Sequence, residues 1–109
     1  MKLVLQSEKD VQSLTGKWII QLDSNAPDKT LNEDNWDFMS EKRLSLVIDL
    51  KWQGLWYEHG NFENWEAFAK RFNDYEFEHD PHLTGKRFHR LLTSNEIDFM
   101  CKKFKENNH

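Results

Sequence analysis

Histidine and carboxylate side chains crowd into one short stretch, YEFEHDPH, at residues 75–82. His79 and His82 stand three residues apart beside Glu78 and Asp80. Zinc and similar divalent ions need three or four such nitrogen and oxygen ligands that converge in space. A metal site is therefore one hypothesis for this stretch, provided that the fold supplies further ligands.

Two other histidines, His59 and His89, would complete such a site if the fold brought them close. A small metal-dependent hydrolase would then use the four histidines with Glu58 or Asp80. The spacing is weak evidence, because strand alternation would turn His79 away from the neighbouring glutamates. We therefore expect no bound metal and no cofactor, and we interpret the histidines as surface and turn residues.

Other reactive groups form no catalytic pattern. Glu76 and Glu78 share a predicted strand face, but acid–base catalysis would need one of them desolvated, and the sequence favours a solvated acidic face. Cys101 falls in the apolar register of the last predicted helix, where we expect a buried, inert thiol. Glycine occurs only at positions 16, 54, 60 and 85, so no phosphate-cradling loop is present. We therefore do not expect an enzyme.

Large aromatic side chains lie beside carboxylates at two places, NEDNWDF and WYE. Tryptophan and tyrosine combine a large contact area with few rotatable bonds and are enriched in binding hot spots. Strand alternation predicts that Trp56 and Tyr57 face opposite sides of a sheet, so one of the two rings would lie outside the core. The predicted partner-binding residues are Asp34, Trp36, Asp37, Trp56, Tyr57, Glu58, Glu76, Glu78 and Asp80.

The charge of the chain is unevenly spread. The net charge is -4, and residues 86–109 carry six basic and three acidic side chains, so the acidic excess lies in residues 1–85. A field of that sign repels phosphate backbones and attracts cationic partners. We therefore expect a basic protein partner and no direct binding of nucleic acid.

Hydrophobic periodicity predicts the strands that position these side chains. RLSLVIDL, residues 43–50, alternates apolar and polar side chains and predicts a strand with one face in the core. A turn over residues 50–54 would lead it into LWYEH as an antiparallel hairpin. DYEFEH and KRFHRLL, joined by a turn over residues 81–85, predict a second hairpin. At the start of the chain, residues 1–6 and KWIIQLD predict two strands that flank a short helix.

Capping residues and helical spacing predict the helices. Ser7 would cap the short first helix, and a further helix is predicted over residues 33–42. Asn61 would cap a helix whose apolar residues recur at helical spacing from Trp65 to Phe72. Thr93 and Glu96 form a capping-box pattern before a last helix. The apolar register of that helix is Ile97, Met100, Cys101 and Phe104.

These elements predict one domain over residues 1–109 with an α+β fold. We expect a mixed, mostly antiparallel sheet of about five or six strands with three or four helices packed on it. The class would be α/β if the first two strands were parallel neighbours. The chain has a single cysteine and no apolar stretch of membrane-spanning length, so a cytoplasmic protein without membrane contact is expected.

The function predicted from these features is that of a small acidic binding protein. Its partner would be a basic protein, such as a nuclease whose active-site cleft must be positive to hold phosphate. Bacterial immunity proteins, which inhibit toxins, form a broad class of small acidic single domains of this kind. The alternatives are the metal-dependent hydrolase and a regulator whose acidic surface mimics nucleic acid.

Overall fold

An antiparallel sheet of six strands and four helices make up the regular structure of the computed structural model, which describes residues 3–73, 75–78 and 84–107. In chain order the elements are α1 (Glu8–Gln12), β1 (Trp18–Asp23), α2 (Trp36–Lys42), β2 (Leu44–Ile48), β3 (Lys51–Gln53), β4 (Glu58–Asn61), α3 (Trp65–Asn73), β5 (Tyr75–Glu78), β6 (Thr84–Leu91) and α4 (Ser94–Asn107).

The strand order is β4-β3-β2-β1-β6-β5, and each neighbouring pair is antiparallel. The first long strand, β1, thus lies in the middle of the sheet, and the second predicted hairpin, β5 and β6, extends it on one side. This arrangement confirms the predicted α+β class with its antiparallel sheet in a single compact domain.

The predicted first strand is absent from residues 3–6, which carry no regular structure. The backbone of Leu5 pairs instead with the side chain of Asn73 at the end of α3. Leu5 donates its N–H to Asn73 Oδ1 at 2.8 Å and accepts from Asn73 Nδ2 at 2.9 Å. Because both polar groups of Leu5 are used in this way, no neighbouring strand is needed, and the parallel unit behind the α/β alternative does not form.

Apolar residues lie on both faces of the sheet because successive side chains of a strand point to opposite sides. On one face Ile19 packs with residues of α1 and α3, and we call this the α3 face. On the other face Ile20 and Leu22 pack with residues of α2 and α4. The buried residues of the α3 face are Leu5, Val11, Leu14, Ile19, Val47, Trp52, Phe68, Ala69 and Phe72.

Two of the predicted caps are found. Asp10 donates its N–H to Ser7 Oγ at 3.1 Å at the start of α1. At the start of α4, Thr93 donates its N–H to Glu96 Oε1 at 2.9 Å and Thr93 Oγ1 accepts from the N–H of Glu96 at 3.2 Å, which is a complete capping box. The cap of α3 was predicted at the wrong residue: Asn64, not Asn61, accepts from the N–H of Ala67 at 2.9 Å.

The predicted hairpin of residues 43–50 with LWYEH does not form, because residues 51–53, predicted in its turn, make up β3, which lies between β2 and β4. The first three residues of LWYEH belong to a turn between β3 and β4. The N–H of Gly54 donates to the carbonyl of Tyr57 at 2.8 Å and closes this turn. A Cβ at position 54 would lie 2.5 Å from the His59 ring, so only glycine fits there. Trp56 and Tyr57 therefore do not alternate across a sheet, as predicted, but are both exposed on the turn.

The last helix packs with part of the predicted face, since Met100 and Phe104 contact the core as expected but Ile97 and Cys101 do not. Met100 is buried, whereas Cys101 and Ile97 are exposed. The helix is rotated because Glu96 is itself buried, at 3% exposure, and its carboxylate is held by Arg90 at 2.6 Å. The prediction of a buried Cys101 thiol was therefore wrong.

In the described part of the chain, no helix combines the length and the hydropathy that a membrane-spanning segment needs.

Candidate functional site

A cavity of about 470 Å³ opens on the α3 face of the sheet, where the side chains of β1, β2, β4 and β6 change from apolar to polar. Gln21 follows Ile19 by two residues on β1 and therefore lies on the same face. We call this cavity the basic pocket, since four cationic residues and one carboxylate line it. Its described lining consists of Gln21, Phe38, Lys42, Arg43, Ser45, Trp52, Glu58, His59, Arg71, Arg87 and His89.

His89 lies at the base of a hydrogen-bond chain in the basic pocket and is 2% exposed. Its Nδ1 is 3.2 Å from the carbonyl oxygen of Phe72, which only accepts, so Nδ1 carries the proton. The other nitrogen, Nε2, then accepts from the side-chain amide of Gln21 at 3.2 Å. Burial lowers the pKa of His89 to about 4, and the hydrogen bond to Phe72 only partly opposes this shift. The imidazole is therefore neutral near pH 7.

The side-chain oxygen of Gln21 contacts two guanidinium groups. Its Oε1 accepts from Arg43 Nη1 at 2.6 Å and from Arg87 Nη1 at 3.2 Å. Arg87 also forms an ion pair with Asp23, with Nε and Oδ1 3.2 Å apart. Burial, followed by the nearby charge of Arg87, lowers the pKa of Arg43. Two positive charges thus meet at one neutral amide oxygen.

His59 occupies another wall of the basic pocket with both ring nitrogens in use. Nε2 donates to the carbonyl oxygen of Glu41 at 3.1 Å, and Nδ1 accepts from the hydroxyl of Ser45 at 2.9 Å. Burial lowers the pKa of His59, and the hydrogen bond to Glu41 partly opposes it. Neither His59 nor His89 therefore presents an unused lone pair to a metal.

Only part of the predicted metal site falls within the described residues. His59 and His89 line the same cavity, but His79 and His82 lie outside the described residues. Among the residues that the structure describes, no group of three histidine, cysteine or carboxylate side chains is placed to hold a metal ion.

Trp52 lines the basic pocket and carries an unused hydrogen-bond donor. The side chain is 2% exposed and packs edge-to-face on Phe68 at a centroid distance of 5.3 Å. Its indole Nε1 is buried and has no hydrogen-bond partner among the described residues. A buried donor without an acceptor is uncommon in folded proteins, because it forfeits its hydrogen bond to water.

Three aromatic side chains are exposed on α2 and on the turn between β3 and β4, and we call Phe38, Trp56 and Tyr57 the aromatic patch. Their exposed fractions are 53%, 70% and 59%. Phe38 lines the pocket itself. Lys42, one helical turn after Phe38 on α2, places its Nζ 5.9 Å from the centroid of the Tyr57 ring. The patch is therefore carried by α2 and by the turn between β3 and β4.

Of the predicted partner-binding residues, Trp56, Tyr57 and Glu58 lie together in and just after this turn and are all exposed. Asp34 and Asp37 are also exposed, near the start of α2. Glu58 forms an ion pair with Lys51, in which the two charged atoms are 3.5 Å apart.

Trp36 does not belong with them, because it is only 7% exposed. Its ring packs edge-to-face on Phe99 at 5.8 Å and on Phe104 at 6.0 Å, so the prediction of an exposed Trp36 anchor is corrected to a core position. Glu76 and Glu78 lie on β5, and the structure does not describe their side chains. Asp80 lies outside the described residues.

Of the residues that line the basic pocket, only Glu58, His59 and His89 were considered as site residues in the sequence. Gln21, Arg43 and Arg87 are far apart in the chain, and their meeting depends on the pairing of β1 with both β2 and β6. One signal was available: Gln21 interrupts the apolar run of WIIQLD at a position that faces inward.

No protein-family model, curated protein or solved structure matches this chain. The aromatic patch and the basic pocket are therefore the features from which a function is inferred.

Proposed function

We propose that this protein binds and inhibits a basic protein through the aromatic patch, as bacterial immunity proteins do with toxins such as nucleases. The observation that carries the proposal is the exposure of Trp56 and Tyr57, at 70% and 59%, on adjacent positions of one turn. Side chains of this size are normally buried, and in exposed pairs they are typical of protein interfaces.

The turn holds the two rings in a defined place before any partner arrives. The hydrogen bond from Gly54 to Tyr57 closes it at 2.8 Å, and β3 and β4 pair on either side. A preorganised turn loses little conformational entropy on binding. Burial of one such ring removes about 150–250 Å² from water, worth about 4–6 kcal/mol before the costs of association.

Charge favours a cationic partner. The chain carries a net charge of -4, and the exposed carboxylates Asp34, Asp37 and Glu58 lie on the two segments that flank the aromatic patch. Long-range attraction of this sign accelerates encounter with a basic surface and is weakened by salt. A nuclease is a fitting partner, because its cleft must attract phosphate groups. Such an inhibitor would act in the cytoplasm, where a lone exposed thiol such as Cys101 stays reduced.

The proposal is tested with the protein encoded by the adjacent gene, mixed with this chain on a sizing column at low and high salt. We expect a one-to-one complex at low salt and loss of any nuclease activity of the partner. Trp56→Ala and Tyr57→Ala should each weaken the complex by about tenfold or more. Ile97→Ala removes an exposed apolar side chain on α4 and serves as the matched control.

Two results would contradict the proposal. One is the absence of a complex at low salt. The other is a complex that the Trp56 and Tyr57 variants form as well as the Ile97 control, which would place the interface elsewhere on the molecule.

A further inference from the structure

The basic pocket has the composition of an anion-binding site. We propose that it binds a small molecule through a phosphate group, with Arg43 as the principal charged contact and Trp52 Nε1 as a neutral donor. The proposal is separate from protein docking, because it concerns the isolated chain and a cavity on the α3 face.

The charges that line the basic pocket are mostly positive. Lys42, Arg43, Arg71 and Arg87 contribute to its described wall, and Glu58 is the one carboxylate among the described lining residues. Glu58 is itself paired with Lys51, 3.5 Å away. This excess suits a doubly charged phosphate better than a singly charged carboxylate, because guanidinium groups offer several N–H donors to its oxygens.

Arg43 is a cation of the basic pocket that lies beside a second guanidinium group. It forms no ion pair with any carboxylate of the described residues, and its contacts are Gln21 Oε1 at 2.6 Å and the Phe38 ring at 5.2 Å. Burial, and then the neighbouring Arg87, lower its pKa, and the charge of Asp23 only partly opposes this shift. An anion placed between the two guanidinium groups would relieve their repulsion.

Gln21 holds the guanidinium groups of Arg43 and Arg87 close together in the absence of an anion. Its Oε1 receives both arginines, while its amide nitrogen is held by the neutral imidazole of His89. The two guanidinium groups are therefore positioned in advance, and a ligand oxygen would meet donors that are already oriented.

Trp52 is the second, independent sign of a ligand. Its side chain is 2% exposed and lines the cavity, yet Nε1 has no partner among the described residues. An acceptor atom of a ligand would satisfy this donor. The cavity volume of about 470 Å³ exceeds that of a phosphate ion and lies in the range of small-molecule sites, about 300–1,000 Å³. The exposed ring of Phe38 offers apolar surface to the rest of the molecule.

The test uses the full chain labelled with ¹⁵N and titrated with inorganic phosphate against sodium chloride of equal ionic strength. The five tryptophans give separate indole N–H signals, and Trp52→Phe identifies the one that belongs to Trp52. We expect phosphate, but not chloride, to shift the Trp52 signal in a saturable way and to raise the melting temperature.

Substitutions then locate the charge that is responsible. Arg43→Gln keeps a side chain that can still donate to Gln21, and it should weaken phosphate binding by about tenfold or more. Lys42→Gln, on an exposed residue of the same wall, should weaken it less and serves as the second variant if Arg43→Gln folds poorly. Lys70→Gln changes an exposed cation of α3 that does not line the cavity, and it should bind phosphate as the unchanged protein does.

Three outcomes would overturn the proposal. The first is a Trp52 signal that responds equally to phosphate and chloride. The second is undiminished binding by both the Arg43 and the Lys42 variants. The third comes from a parallel titration with acetate: a saturable shift with acetate and none with phosphate would make the pocket a carboxylate site.

Discussion

Gln21 and His89 face each other across the pairing of β1 and β6, and their side chains are joined by a hydrogen bond of 3.2 Å. The imidazole can accept this bond only in its neutral form, with its proton on Nδ1 toward the carbonyl of Phe72. Protonation of His89 would therefore break the chain that positions Arg43 and Arg87. The pair connects the stability of the sheet to the order of the basic pocket.

Acid should destabilise the protein through His89. Burial lowers its pKa to about 4, whereas the unfolded chain has a pKa of 6.5, so below pH 6.5 the unfolded state binds more protons. The stability that the neutral imidazole confers is complete above pH 6.5 and is lost as pH falls from 6.5 to 4. The loss should reach about 3 kcal/mol. Urea unfolding at steps between pH 7 and pH 4 measures it.

His89→Gln provides the control for this prediction, because glutamine does not titrate in that range. The variant should show a smaller fall in the free energy of unfolding between pH 6.5 and pH 4. His59, whose pKa burial also lowers, acts in the same direction and remains in both proteins. Equal slopes for the variant and the unchanged protein would show that His89 is not responsible.

Glu96 should be the carboxylate on which stability depends most. Burial alone would raise its pKa, but hydrogen bonds from Arg90, Thr93 and Leu31 lower it to about 2. Glu96→Gln removes the charge and leaves the Arg90 guanidinium without its partner, so a loss of about 2–4 kcal/mol is expected. The exposed Glu106, paired with Lys103 at 3.6 Å, gives a matched control: Glu106→Gln should cost less than about 0.5 kcal/mol.

The contributions of Glu96 and His89 to stability are distinguished by the pH range in which each is lost. Stability from Glu96 is complete above its ordinary pKa of 4.5 and is lost as pH falls toward 2, a range that overlaps that of His89 only between pH 4.5 and 4. If Glu96→Gln and Glu106→Gln unfold at the same urea concentration, the buried ion pair contributes nothing beyond a surface pair.

The sequence predicted those helices and strands whose formation depends only on residues close together in the chain. The capping box of Thr93 and Glu96 needs only residues three apart, and the alternation in RLSLVIDL needs only one strand. The capping box was found as predicted, and so was the strand, but not its single core face: Val47, predicted on the polar face, is buried, whereas Ile48 is exposed. The register of α4 was wrong at Ile97 and Cys101, because Glu96 is buried against Arg90 of β6, a contact outside the helix that the apolar pattern does not contain.

The candidate site was harder to predict from the sequence because it depends on strand pairing. Trp56 and Tyr57 are both exposed, but alternation along a strand, from which one exposed ring was predicted, does not apply in a turn. Trp36 has the same neighbours in sequence and yet packs on Phe99 and Phe104 of α4. Neighbouring charges do not reveal which face of a helix meets another helix.

Substitution of Trp36 should therefore lower the free energy of unfolding far more than substitution of Trp56. Trp36→Ala removes a ring that is 7% exposed and leaves a cavity against α4, so a loss of about 3–5 kcal/mol in the free energy of unfolding is expected. Trp56→Ala removes a ring that is 70% exposed and should change stability by less than about 0.5 kcal/mol. Urea unfolding followed by far-UV circular dichroism measures both. Comparable losses in the two variants would mean that Trp56 is part of the core and not of a binding surface.

Gly54 should determine whether the aromatic patch keeps its shape. A Cβ at this position would lie 2.5 Å from the His59 ring and 2.7 Å from the carbonyl oxygen of Tyr57, to which Gly54 donates. Gly54→Ala must displace one of them and should cost about 1–3 kcal/mol.

Gly16 offers a comparison in which crowding is absent. It has a φ of +86°, and a Cβ at this position would have no atom of the described residues within 4 Å. Gly16→Ala therefore tests backbone strain alone, about 1–2 kcal/mol, at a site remote from the patch. The two variants should lose similar stability, but only Gly54→Ala should shift the backbone amide signals of Trp56, Tyr57 and His59 in a ¹⁵N spectrum. If those signals stay in place, the turn tolerates a side chain at position 54, and the close approach of His59 does not fix the patch.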